Sequence, residues 1–208
     1  MAKLSLWSLV MDGGYIMIPI ALLLVVSIYI LIERSLAISK AQKEDPSFMK
    51  KIRDYIHEGD LESAENLCRK TATPYSRLIL KGVTRIGRPM NDLLVAIENT
   101  GNIEVARLGK GLTWLSTTAA GAPMLGFLGT VTGMIEAFFS LEKAGTGANI
   151  TVLAGGIYQA LVTTVAGLVV GIVALFAYNY LVSRVNRVMN NLERKSMEFM
   201  DLLNEPAA

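Results

Sequence analysis

The chain holds one cysteine and one histidine, Cys68 and His57. A lone thiol excludes a disulfide framework and any cysteine-based zinc site, and a lone imidazole excludes a histidine-rich metal centre. Phosphate-binding loops, nucleophile elbows, His-Glu-x-x-His and dinucleotide-binding glycine patterns are missing from the sequence. No nucleophile, base and orienting group can be assembled from what remains, which argues against an enzyme and calls for no cofactor. Charge is also scarce. Charged residues make up 18% of the chain, with a net charge of +2, where a soluble domain usually has about 25%. There is no basic stripe of the kind a nucleic-acid partner needs. Apolar residues fill the space instead: 52% of the 208 residues are hydrophobic, and the mean hydropathy is +0.42. Eighteen glycines in so apolar a chain suit close helix contact in lipid. This composition excludes one compact soluble domain and equally a disordered chain.

Three long apolar runs are present. Residues 15–32 carry no charge and would span roughly 27 Å as a helix, close to the hydrocarbon thickness of a bilayer. Pro19 falls in the first turns, where proline is tolerated. The run ends in Ile32-Glu33-Arg34 rather than in small residues, so it reads as a retained span and not a cleaved signal peptide. The second run covers residues 112–141, with Glu136 as its only charge, and the third covers residues 150–182 with none. Both exceed the roughly 20 residues a span needs. A short turn, Gly145 to Asn149, makes them an antiparallel hairpin. The expected fold is an all-α membrane protein with three transmembrane helices, the second and third long and extending into the cytoplasm.

Cationic flanks set the orientation. Arg34, Lys40, Lys43, Lys50 and Lys51 follow the first span, Arg107 and Lys110 precede the second, and Arg184, Arg187, Arg194 and Lys195 follow the third. Only Lys3 and Lys143 lie on the other side. The expected order is therefore a periplasmic N-terminus (1–14), first span (15–32), cytoplasmic helical region (33–111), second span (112–141), periplasmic turn (142–149), third span (150–182) and cytoplasmic helical tail (183–208). Within the cytoplasmic region, Pro46-Ser47 opens one helix and Asp60 caps a second. Pro74 and then Gly87-Arg88-Pro89 interrupt the pattern. Leu93 to Leu108 lead into the second span without a strong break. Apolar residues from Val185 to Leu202 continue the third span as an amphipathic helix. Cys68 reads as a packed hydrophobe and His57 as a solvated helix-end residue.

The spans carry small residues at steps of three or four: Ala119, Pro123, Gly126, Thr130, Gly133 and Ala137 in the second, and Gly156, Ala160, Thr164, Gly167 and Gly171 in the third. Such stripes permit close helix packing, with Gly126, Gly129, Gly133, Gly156, Ala160, Gly167 and Gly171 as the expected contact residues. Polar groups sit among them. Thr130, Thr163 and Thr164 fall near mid-membrane, with Gln159 somewhat closer to the outside. A threonine hydroxyl can return to its own helix, but the amide of Gln159 needs partners. Glu136 is the single acidic side chain within a span; it faces water or a bundle interior, or else it reaches the interface or pairs with Lys143.

Two stretches carry a resemblance. Leu125, Gly126, Gly129, Thr130, Val131, Gly133 and Phe138 match the second-span pattern of the MotA/TolQ/ExbB proton-channel family. Gly156, Ile157, Ala160, Leu161, Thr164, Gly167 and Leu168 match its third-span pattern, and Tyr178-Asn179 follow. Gly59 to Ala64 and Leu67-Cys68 also look like the family's cytoplasmic region. Three spans resemble the ExbB/TolQ branch. The resemblance implies an inner-membrane stator subunit: a homo-pentamer around two copies of a single-span ExbD/TolR-like protein that brings an aspartate into the pore, working on a TonB-like or other envelope effector. It also implies an ion pathway through Thr130, Thr163, Thr164, Gln159 and Glu136. In the family, glutamate often stands where this chain has Gln159. The alternative is a structural or assembly membrane protein without ion flux.

Overall fold

The structure is a computed structural model, and it describes residues 13–43, 45–144 and 150–204. Seven helices account for these residues: α1 (Met17–Ala41), α2 (Phe48–His57), α3 (Leu61–Thr71), α4 (Pro74–Val83), α5 (Met90–Leu108), α6 (Leu112–Ala144) and α7 (Ile150–Asn204). Among the described residues there is no strand. Three helices are long and apolar enough to cross a membrane: α1, α6 and the part of α7 from Leu153 onward. The expected Gly145–Asn149 turn and most of the expected N-terminal segment, residues 1–12, lie outside the described residues.

The chain divides into two compact units. The first comprises Met1–Ile32 and Gly111–Tyr180. In it, Ile16 and Ile20 of the α1 end of the chain pack with Ala122 of α6 and Val170 of α7. Pro19 is the third residue of α1, where a backbone N–H has no helical partner to lose. Leu22, Val25 and Tyr29 of α1, Phe127 and Ile135 of α6, and Val165 and Phe176 of α7 are exposed. That much uncovered apolar surface is characteristic of helices solvated by lipid or by neighbouring subunits.

The second unit comprises Glu33–Lys110 and Leu181–Ala208. Its core is built from Ile38, Phe48, Ile52, Cys68, Leu78, Ile79, Ile97, Leu181 and Phe199. Local sequence sets the helix ends. Asp60 Oδ1 accepts from Ser63 N at 3.0 Å and caps α3. Thr73 and Ser76 form a reciprocal capping box, and Pro74 is the first residue of α4, its fixed φ already helical. The same Pro74 ends the preceding helix. Ala72, between the two, takes a left-handed φ of 50°. Arg77 Nη1 donates to its carbonyl at 2.6 Å and holds that turn.

One sequence expectation changes. α5 does not run into the second span. It stops at Leu108, and Gly111 adopts a φ of +86° before α6 begins. This conformation is open to glycine and costly for other residues, so Gly109-Lys110-Gly111 is a break. The third span and the tail, in contrast, form one helix of 55 residues.

A second feature of this unit left no periodic signal. Glu104 is buried, and its two oxygens accept from Arg77 Nη2 at 2.6 Å and from Arg107 Nη1 at 2.7 Å. A buried carboxylate needs such pairing to be tolerated.

Candidate functional site

The site lies on the α6/α7 hairpin of the first unit. The two helices approach closely because each glycine at the crossing faces backbone or a small side chain. A Cβ built on Gly167 would stand 2.5 Å from the Ala122 carbonyl oxygen and 2.9 Å from Gly126 Cα. One on Gly126 would stand 3.0 Å from the Thr163 carbonyl oxygen. One on Gly129 would stand 2.6 Å from Thr163 Oγ1, and one on Gly156 2.6 Å from Ala137 Cβ. Gly133 lies against Ala160 with a little more room, at 3.1 Å. Pro123 removes one N–H from the α6 ladder, and Gly171 of α7 packs where this occurs: its Cβ position is 2.6 Å from Pro123 Cγ and 3.1 Å from the Ala119 oxygen.

The packing line keeps the expected Gly126, Gly129 and Gly133 but leaves Thr130 off the stripe. The buried residues of α6 are Leu112, Leu115, Thr118, Ala122, Gly126, Gly129, Gly133 and Ala137, so Gly129 rather than Thr130 meets α7. The helix turns about 100° per residue, which places Thr130 beside the seam. Its hydroxyl donates to the Phe127 carbonyl of its own helix at 2.6 Å. On α7, Thr163 is the buried threonine. Its Oγ1 donates within the helix, lying 2.9 Å from both the Gln159 and Ala160 carbonyls. Thr164 Oγ1 instead donates across the seam to the Gly126 carbonyl at 2.9 Å, a side-chain bond between the two spans.

Toward the other end of the seam, Glu136, Gln159, Thr163 and Thr132 line one narrow cleft with Gly129 and Tyr15. Its free volume is about 10 Å³, which is room for roughly one water. Gln159 reaches back to the chain preceding α1: its amide nitrogen occupies the place where a Cβ on Gly14 would stand, and Gly14 has a φ of +70°. Lys143 does not neutralise Glu136. Its Nζ lies 4.4 Å above the ring of Phe139, and among the described residues Glu136 forms no ion pair. The structure thus brings together Glu136, Gln159 and Thr163, joins Thr164 to Gly126 a turn away, and leaves Thr130 outside the cleft. The contribution of Thr132 and Gly14 was not read from the sequence. Thr132 lies off the small-residue stripe, and a contact between Gly14 and Gln159 spans most of the chain. Among the described residues there is no cluster of acidic, histidine or cysteine side chains that could hold a metal.

Three spanning helices, with hydroxyl, amide and carboxyl groups collected along one tightly packed hairpin, define a multi-pass membrane protein suited to moving ions rather than to covalent chemistry. The chain belongs to the MotA/TolQ/ExbB proton channel family, which residues 70–194 match, and within it to the ExbB/TolQ branch. It is 33% identical over 183 residues to biopolymer transport protein ExbB-like 1 of Synechocystis sp., covering 86% of this chain and 72% of that one. It is 29% identical over 174 residues to biopolymer transport protein ExbB of Neisseria meningitidis serogroup A, covering 77% of each. To Tol-Pal system protein TolQ of Haemophilus influenzae it is 36% identical over 106 residues, 51% of this chain and 46% of that one. The family is one of energy-transducing proton channels and not of enzymes.

Proposed function

We propose that this chain is the stator subunit of an ion-driven motor in the inner membrane, a pentameric ring enclosing two copies of a single-span ExbD/TolR-like partner. The names of its relatives, biopolymer transport and Tol-Pal system, favour work done on the cell envelope. The observation that carries the reading is the water-sized cleft in which Glu136, Gln159 and Thr163 converge inside an otherwise apolar hairpin. Polar groups in a span are costly unless they face one another, water or a passing ion.

In this reading protons reach the partner's membrane aspartate along α6 and α7. The outer section is the Glu136–Gln159–Thr163 cleft, and the inner section is the Thr130 and Thr164 level. An ionised aspartate is expensive in a dry ring and a neutral one is not. Each proton taken up or released therefore changes which face of the ring the partner helix prefers. The membrane potential supplies about 2.3 kcal/mol per charge per 100 mV. Cationic flanks support a cytoplasmic position for the unit containing α2–α5 and the tail of α7, and a periplasmic one for the N-terminus and the turn after α6.

The test is co-expression with a single-span protein carrying an aspartate near the start of its span, from a neighbouring reading frame, followed by native mass spectrometry. A complex of one pentamer with two partner chains is expected. A chain that purifies alone and never retains the partner would contradict the reading and favour a structural membrane protein.

A further inference from the structure

The second unit holds a groove that its own packing leaves open. It has a volume of about 360 Å³ and runs between α5 and α7, with Leu94 and Ile97 on one bank and Met189 and Met197 on the other. Met197 is 67% exposed and Leu94 37%, an uncovered apolar patch outside the spans. Both banks carry an exposed carboxylate, Glu98 on α5 and Glu193 on α7. Among the described residues neither forms an ion pair. Elsewhere around α7, Arg187 and Arg194 line a different recess together with Gln42. Arg194 Nη2 donates to Asn191 Oδ1 at 2.7 Å, and among the described residues neither guanidinium meets a carboxylate.

The sequence spacing explains why these surfaces are separate. At about 100° per residue, Arg187 and Arg194 fall nearly in line, while Met189, Glu193 and Met197 centre roughly 110° away around the same helix. An acidic, apolar groove and a basic ridge thus sit on different sides of one element. Two complementary patches offset in this way cannot satisfy each other within a chain. They generate a head-to-tail contact that closes into a ring when the rotation allows. A rotation about an axis along α7 leaves every residue at its own level, so Glu193 of one copy and Arg194 of the next arrive at the same height.

We propose that the α5/α7 groove is a contact between subunits: it receives the Arg187/Arg194 ridge of an adjacent copy of this chain, with Glu98 and Glu193 pairing the guanidiniums and Met197 and Leu94 covering the arginine stems. The inference rests on the ring proposed above and assigns the surface that fixes its sense of rotation outside the spans. Arginine suits the role because its stem covers apolar surface while its planar head pairs with carboxylates.

The experiment uses the full chain in membranes. A Glu98→Cys/Arg187→Cys variant is treated with a short bismaleimide; the native Cys68 is buried. A ladder of linked multimers is expected, and each single variant should give monomer only. Separately, Glu98→Arg and Arg187→Glu, both surface changes, should each lower ring recovery in detergent roughly tenfold, as like charges placed opposite each other do across an interface. The double variant should recover most of it. A linked dimer from Glu98→Cys alone would mean a symmetric contact and overturn the proposal. A wild-type ring that gives neither ladder nor charge effect would overturn this surface and leave the ring standing. Wild-type chains that form no ring at all would overturn both.

Discussion

Thr164 donates to the Gly126 carbonyl on the neighbouring span, and that oxygen also belongs to the helical ladder of α6. Removing the hydroxyl therefore leaves no orphaned acceptor. Thr164→Val should lower hairpin stability by only about 0.6 kcal/mol, the average for interhelical hydrogen bonds in lipid, as read from unfolding in mixed micelles. A loss of several kcal/mol would show that the bond is structural. Glu136 and Gln159 face one cleft, so a carboxylate on either wall can serve it. Glu136→Gln should abolish most proton flux, and Glu136→Gln/Gln159→Glu should restore it; a double variant as inactive as the single one would contradict a shared role. Both residues were legible in the sequence as polar groups inside apolar runs. Their meeting was not, because it depends on the pitch of two helices and on Gly14 closing the end. Cys68 was legible as packed, and its burial, with Glu65 nearby, pushes the thiol up to about 12. Burial disfavours the thiolate, so alkylation by iodoacetamide in the folded protein should stay slow from pH 7 to 10 and speed up only on unfolding. Fast labelling at pH 8 would contradict that burial.

At the scale of elements, the hairpin sorts its glycines by what stands opposite. Gly167 faces the Ala122 carbonyl, an atom of the backbone, whereas Gly133 faces the Ala160 methyl at a distance where a small shift suffices. Gly167→Ala should therefore lose most folded protein, measured as the fraction monodisperse after extraction, while Gly133→Ala should lose little. Equal losses would show that the crossing is looser than described. These contacts join two spans of the same chain, so the stripes govern the fold of each subunit first and assembly only afterwards. The three spans, the Asp60 cap and the breaks at Pro74 and Pro89 were readable because apolar length, side-chain caps and proline act locally. Gly129 was readable as a packing residue, but the departure of Thr130 from the α6 stripe was not. Successive positions one step apart fit a period of 3.6 almost equally well, and only the partner helix decides between them. Gly109-Lys110-Gly111 was passed over because apolar periodicity resumes on both sides of it. Glu104 was passed over because nothing near it in sequence announces Arg77.

For the whole molecule, the test of orientation must avoid Cys68, which is unreactive wherever it lies. A cysteine at Gly145 should react with a membrane-impermeant maleimide in cells with a permeabilised outer membrane, and a cysteine replacing the exposed Glu62 only after lysis. Labelling of the Glu62 position in intact cells would reverse the orientation. The central claim, that protons pass along α6 and α7 and do work on a partner, is met most directly by proton uptake. Vesicles carrying this chain with its single-span partner are compared with vesicles carrying Thr130→Val or Thr164→Val, each confirmed to assemble at wild-type size. The account predicts that wild-type vesicles take up protons under an imposed potential and that both variants lose most of that uptake. Uptake by both variants at the wild-type rate would contradict it.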